Sequence, residues 1–203
     1  EDSLLICDNC SYAANRQIAR FKKVAINGEE PQELEKVATP GAKTIADLAR
    51  YLDIPESKTA KAVFLVATIV EGTESAEKLV LAIVRGDMDL NETKLANAVV
   101  AKELRPALEE EIIASGAVPG YASPKAVKDT IIVVDDLIPD STNLVAGANE
   151  EGYHFLNVNY KRDYEADIVA DIAVAEENSL CPDCGNEMKL QRGVEVGNIF
   201  KLG

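Results

Sequence analysis

Four cysteines stand as two C-x-x-C pairs, Cys7-Asp-Asn-Cys10 and Cys181-Pro-Asp-Cys184-Gly185, with 170 residues between them. Thiolates at that spacing on a turn suit a tetrahedral ion, so the four together read as a structural tetrathiolate zinc site that would pin the chain ends around everything between. Two redox dithiols, or cysteines without a ligand, are the other readings of the same spacing. Elsewhere the residues able to do chemistry fall into four clusters. Lys61 stands at the lip of an apolar run, where a lysine either snorkels to water or projects into a cleft. Arg85-Gly86-Asp87 closes the next apolar run and can orient a polar ligand or form an exposed ion pair. The loop 116–124 holds Gly116, Pro119, Gly120 and Pro124 around a short predicted strand, a backbone-exposing arrangement that can offer N–H groups to a ligand oxygen or simply connect two elements. Residues 147–154 pack Gly147, Asn149, Gly152 and His154 together, as a ligand contact or as a hairpin whose histidine caps a strand.

The single histidine among 203 residues excludes metal sites built on two or three His, and no G-x-S-x-G elbow accompanies it for a Ser-His-acid triad. Neither G-x-x-x-x-G-K-[ST] nor G-x-G-x-x-G occurs, which argues against an ATP or dinucleotide enzyme in this segment. Lys and Arg number 21 against 35 Asp and Glu, for a formal net charge of −14, which argues against a grip on nucleic acid by bulk positive charge and makes any polyanion contact local. No run approaches the roughly 18 apolar residues of a membrane span, and no secretory signal opens the chain, which together predict a soluble cytoplasmic protein without a membrane partner. The absence of an initiating Met and the apolar run at 194–202 suggest a piece of a longer chain.

The elements that must position these clusters follow from pattern. Residues 12–24 carry helix formers, Gly28 to Pro31 break them, and an acidic polar stretch to Gly41 reads as a linker. Thr44 caps a helix with Ile45, Leu48, Ala49 and Leu52 on one face, ended by Pro55; a helical turn at 56–59 follows. Residues 62–70 and 78–84 are Val- and Ile-rich strands joined by a hairpin at 71–74. Helices are predicted over 91–99 and 106–114, the second with Pro106 at its first position, and further strands over 131–134, 144–146 and 153–158. Strands outnumber helices without βαβ alternation, so the fold class is α/β of the α+β kind: a mixed β-sheet with packed helices, plus a small four-cysteine module formed by the chain ends.

Five ordered motifs carry a resemblance: T-P-G-x-K-T-I-x-x-L (39–48), K-T-x-K-x-V (58–63), V-R-G-D-x-x-L-N-x-x-K (84–94), G-x-x-x-P (120–124) and G-A-N-x-x-G-x-H (147–154). Together they resemble the editing insertion of bacterial-type prolyl-tRNA synthetase, a family related to freestanding aminoacyl-tRNA deacylases. The flanks 10–15 and 192–203 are similar to the parts of the class II synthetase body that bracket the insertion, apart from Asn198, where a histidine is usual. The resemblance implies flanks at 1–38 and 174–203 around an editing domain at 39–173, hydrolysis of mischarged Ala-tRNA(Pro), and Lys61 as the essential residue of the pocket. It implies Gly120 and Pro124 as the ends of a substrate-gripping loop, His154 fitting the alanyl group, Asp135 as an acidic pocket residue with Asp136 as its rival for that place, and Gly147 and Asn149 as further substrate contacts. It also implies the tRNA(Pro) acceptor end and the remainder of the synthetase as partners, a parent enzyme that is a homodimer, no cofactor for hydrolysis, and ATP used only by the parent. An insertion without catalytic activity, serving to stabilise the synthetase or position tRNA, is the alternative.

Overall fold

The computed structural model describes residues 2–25, 29–72 and 74–194. The chain divides into two compact units, one made of residues 1–24 and 174–203 and the other of residues 25–173. Among the described residues no helix is long and apolar enough to cross a membrane.

The central unit is built on the strands β4 (Ala60–Glu71) and β5 (Glu74–Arg85), which pair antiparallel along their whole length. Outside them lie β6 (Ala101–Pro106) beside β4, and β7 (Thr130–Asp135) with β10 (Ile168–Ala170) running parallel on the β5 side, giving the order β10-β7-β5-β4-β6. Alternation along β5 explains its unbroken apolar run: Val80, Ala82 and Val84 enter a core with Leu65, Leu95, Val133 and Ile172, while Leu81 and Ile83 enter one with Val134, Ile138 and Leu144. Both faces are covered, so no polar face is needed. A second, antiparallel sheet has the order β3 (Glu35–Ala38), β9 (Tyr153–Val158), β8 (Leu144–Gly147).

Helix α1 (Ile45–Leu52) starts where Thr44 Oγ1 accepts from the Asp47 N–H at 3.1 Å and ends at Asp53, which takes the left-handed conformation ahead of Pro55. Its buried face puts Leu48 with Ala42 and Val145. Helix α2 (Glu92–Ala98) is capped by Asn91 and buries Leu95 on the main sheet. Helix α3 (Glu109–Ala114) begins later than the pattern predicts: Pro106 ends β6, and the helix start is organised by Glu111, whose carboxylate accepts from the Leu108 N–H and from Arg105. That double contact holds the Glu111 carboxyl down at about 2, Arg105 being the main cause.

Three further predictions need correction. The stretch read as a linker includes β3, recruited by pairing with β9, a long-range gain that composition does not reveal. Residues 12–24 form no helix; β2 (Ala13–Asn15) pairs with β1 (Asp2–Ile6), which also pairs with β11 (Lys189–Gly193) in the terminal unit. No strand forms within 116–124. The flank at 195–203, including Asn198, the break at Gly28 and Thr73 of the hairpin lie outside the described residues. The terminal unit has a small core of Leu5, Cys7, Ala19, Ala175, Cys181 and Met188.

Candidate functional site

A cavity of about 620 Å3 opens in the central unit, and its wall is shared by the start of β4, the start of α1, the loop at 119–122, the end of β8 and the side chain of His154. Six of the residues singled out from sequence meet there: Lys61, Gly86, Pro119, Gly120, Gly147 and His154.

Lys61 Nζ donates to the Met88 carbonyl at 2.9 Å and to Asp89 Oδ1 at 2.8 Å. Both acceptors lie in the turn just after β5, whose Val84 pairs with Lys61, so the hairpin itself brings the ammonium and its partners together. The Arg85-Gly86-Asp87 turn forms an ion pair, but not the exposed one of the simpler reading: Asp87 accepts two bonds from the largely buried Arg85, at 2.6 and 2.8 Å.

The loop is held from below by close backbone packing. A Cβ on Gly147 would stand 2.2 Å from the Tyr121 carbonyl carbon and oxygen and 2.3 Å from the Ala122 oxygen, so only glycine lets the end of β8 approach the loop. Asn149 does not line the cavity; it clamps the loop, its side chain accepting from the Ser123 N–H at 2.8 Å and donating to the Ser123 and Lys125 carbonyls. Its own N–H donates to Tyr121 O at 2.8 Å. Within the loop the Tyr121 N–H donates to Val118 O. Among the described residues nothing accepts from the Gly120 and Ala122 N–H groups, and both residues line the cavity.

His154 is 4% exposed, and Thr39 Oγ1 lies 2.6 Å from its Nδ1. That contact leaves Nε2 as the ring nitrogen able to meet a ligand. Burial pushes the imidazole down to about 4, so it is neutral at pH 7. The Tyr121 ring packs on it at 5.4 Å between centroids, tilted by 56°. Thr39 and Tyr121, which set the orientation of His154, were both inside the sequence motifs, but their contacts with it span 115 and 33 positions and nothing local in the chain announces them.

Like Asn149, Asp135, Asp136 and Pro124 stand off the cavity wall. Asp135, fully buried at the end of β7, accepts from the N–H groups of Leu137, Ile172 and Ala173 at 3.0–3.1 Å and does not line the cavity. Its neighbour Asp136 is exposed and is not on the cavity wall either. Pro124 borders a small internal void with Ala60, Ile83 and Tyr164.

In the terminal unit the four cysteines converge. Cys7 and Cys184 have their Sγ atoms 3.4 Å apart, Cys10 and Cys181 3.6 Å apart, and all four sulfurs lie within 4.8 Å of one another as free thiols. Such a cluster could hold a metal ion.

Comparison with known proteins agrees with this geometry. The chain is 52% identical to a proline–tRNA ligase of Salinispora tropica and 47% identical to one of Dehalococcoides mccartyi, aligned over its whole length while spanning 34% of each of those relatives. A solved protein described as a trans-editing enzyme for prolyl tRNA synthetase shares the fold, with a TM-score of 0.54 at 18% identity over 70% of this chain and 87% of that one. Residues 39–164, which contain the whole cavity wall, match the aminoacyl-tRNA editing domain, and the chain therefore belongs to that family.

Proposed function

We propose that the central unit hydrolyses alanine from mischarged tRNA(Pro), acting as the editing insertion of a prolyl-tRNA synthetase. The observation that carries this reading is the meeting on one cavity of about 620 Å3 of Lys61, a neutral His154, and Gly120 and Ala122, whose N–H groups have no acceptor among the described residues. That volume suits a terminal nucleoside bearing a small acyl group. An aminoacyl ester is already activated, so its hydrolysis needs a positioned water and donors for the developing oxyanion more than a strong nucleophile. The Gly120 and Ala122 N–H groups are such donors, fixed by Asn149 and Gly147 before substrate arrives. Lys61 supplies positive charge for the acceptor end. Neutral His154 offers Nε2 to the alanyl group with its ring held by Thr39. A synthetic site sized for proline cannot reject smaller alanine strongly, whereas a second, tight site can exclude proline by size. The partners in this reading are the tRNA(Pro) acceptor end and the remainder of a dimeric, cytoplasmic synthetase, in which ATP is used outside this chain.

The cysteine cluster is proposed to carry a structural Zn2+. Four sulfurs about 2.3 Å from one ion stand about 3.8 Å apart, close to the 3.4 and 3.6 Å observed. Four thiolates close the coordination sphere, so the ion would stabilise the terminal unit and take no part in hydrolysis.

The test is release of alanine from pre-charged Ala-tRNA(Pro), with Pro-tRNA(Pro) alongside, by the chain and by Lys61→Ala. Selective alanine release that falls about 100-fold in the variant is expected. The lysine is partly exposed and its partner Asp89 is largely exposed, so the variant keeps its fold. Release by neither this chain nor the complete synthetase would leave the idle insertion as the correct reading.

A further inference from the structure

Lys43 lines the same cavity from the turn ahead of α1, and nothing in the reading above uses it. Its aliphatic stem lies along the loop: Cβ, Cγ and Cδ are 3.4–3.5 Å from where a Gly120 Cβ would stand, with Gly120 at φ +80°. Its ammonium is the less committed of the two on the cavity wall. Lys61 makes two short bonds, whereas Lys43 has one ion partner among the described residues, Glu151 at 3.9 Å, with the two side chains 60% and 79% exposed. An ion pair that long and that wet is readily exchanged for a stronger anion. The cavity wall carries two lysines against one glutamate, Glu56, in a chain whose net charge is −14. An RNA strand approaching an acidic protein is held where such local cations stand.

We propose that Lys43 is a positioning residue that binds a phosphodiester of the single-stranded 3′ end of tRNA as it enters the cavity, laying the strand beside the Gly120 loop. This rests on the editing reading above. Phosphate recognition by a flexible ammonium needs charge but no fixed fork, so arginine can replace it, while methionine keeps the stem against Gly120 and removes the charge.

The experiment measures deacylation of Ala-tRNA(Pro) over a series of KCl concentrations for the wild type, Lys43→Met and Lys43→Arg. The expected result for Lys43→Met is a KM about tenfold higher with kcat nearly unchanged. The slope of log(kcat/KM) against log[KCl] becomes shallower by about 0.7, the value for one phosphate contact to a single strand. Lys43→Arg restores both. A Met variant with wild-type KM and salt slope overturns the proposal, as does an equal loss of kcat in both variants with the slope unchanged, which marks a packing role under the loop. A wild type that releases no alanine sinks the editing reading instead. A short RNA hairpin ending in single-stranded CCA, titrated with the same three proteins, then decides on Lys43: weaker binding by the Met variant alone sustains the proposal, and equal or absent binding overturns it.

Discussion

The two units reach order by different physics. The central unit buries both faces of a five-stranded sheet, with separate apolar clusters above and below β5, and locks the loop at 121–125 by backbone contact at Gly147 and by the Asn149 clamp. The terminal unit draws on two segments far apart in sequence and, among the described residues, buries six side chains in its core cluster, two of them cysteines of the thiol cluster. Small cores are commonly supplemented by metal ligation, and the four thiols of this unit are suited to it. The contrast predicts that loss of the proposed ion and loss of the proposed editing activity are separable events.

The largest effect should come from Cys181→Ser, because this fully buried cysteine belongs both to the thiol cluster and to the core. Bound zinc, measured by mass spectrometry of the intact protein, should fall from one per chain to none. Hydrogen exchange should collapse across β1 and β11 while β4 and β5 stay protected. Metal content unchanged by the substitution would remove the basis of the comparison. Next is Gly147→Ala, which drives a methyl group into the backbone of Tyr121 and Ala122. It should cost about 3 kcal/mol in urea unfolding of the central unit and about 100-fold in deacylation, leaving zinc content intact. A variant of native stability would show that the loop is softer than its packing implies.

His154 gives a pH test of similar size. Burial lowers its folded value to about 4 from an ordinary value near 6.5, so between those limits the unfolded chain binds more protons than the folded one. Stability should therefore fall as pH drops from about 6.5 to about 4, by up to about 3 kcal/mol, through this residue. The difference in urea midpoint between wild type and His154→Gln, followed across that range, isolates it from the carboxylates. A pH-independent difference would mean that the imidazole is not held neutral. The smallest change is Arg16→Ala in the terminal unit, where the Arg16–Glu176 pair is exposed; about 0.5 kcal/mol is expected in zinc-loaded protein.

Much of the main sheet was legible because its signals are local. Two dense Val and Ile runs around a hairpin turn predicted β4 and β5, and Thr44 announced α1 through its hydroxyl three residues before Asp47. The start predicted at Pro106 for α3 and the linker before Gly41 failed for one reason: β6 and β3 are strands by virtue of the neighbours they pair with, β4 and β9. Lys61, Gly120, Gly147 and His154, singled out by residue clusters and by the family resemblance, do line one cavity. Asp135 was not placeable in that way, since an acidic side chain reads alike whether it faces a ligand or satisfies three backbone N–H groups.

By itself the sequence determined the residue types at each motif, the acidic balance that confines any RNA contact to a few cations, and the paired thiols suited to one ion. Those properties belong to single residues or short windows, where bonding preference and charge do not depend on the rest of the chain. Tertiary structure alone decided that Thr39 orients His154, that Asn149 serves the loop from outside the cavity, and that Lys43 rather than Asp135 stands on the wall. Each of those is a contact between atoms distant in sequence, made only when the sheets pack and the backbone comes close enough for a single glycine to fit.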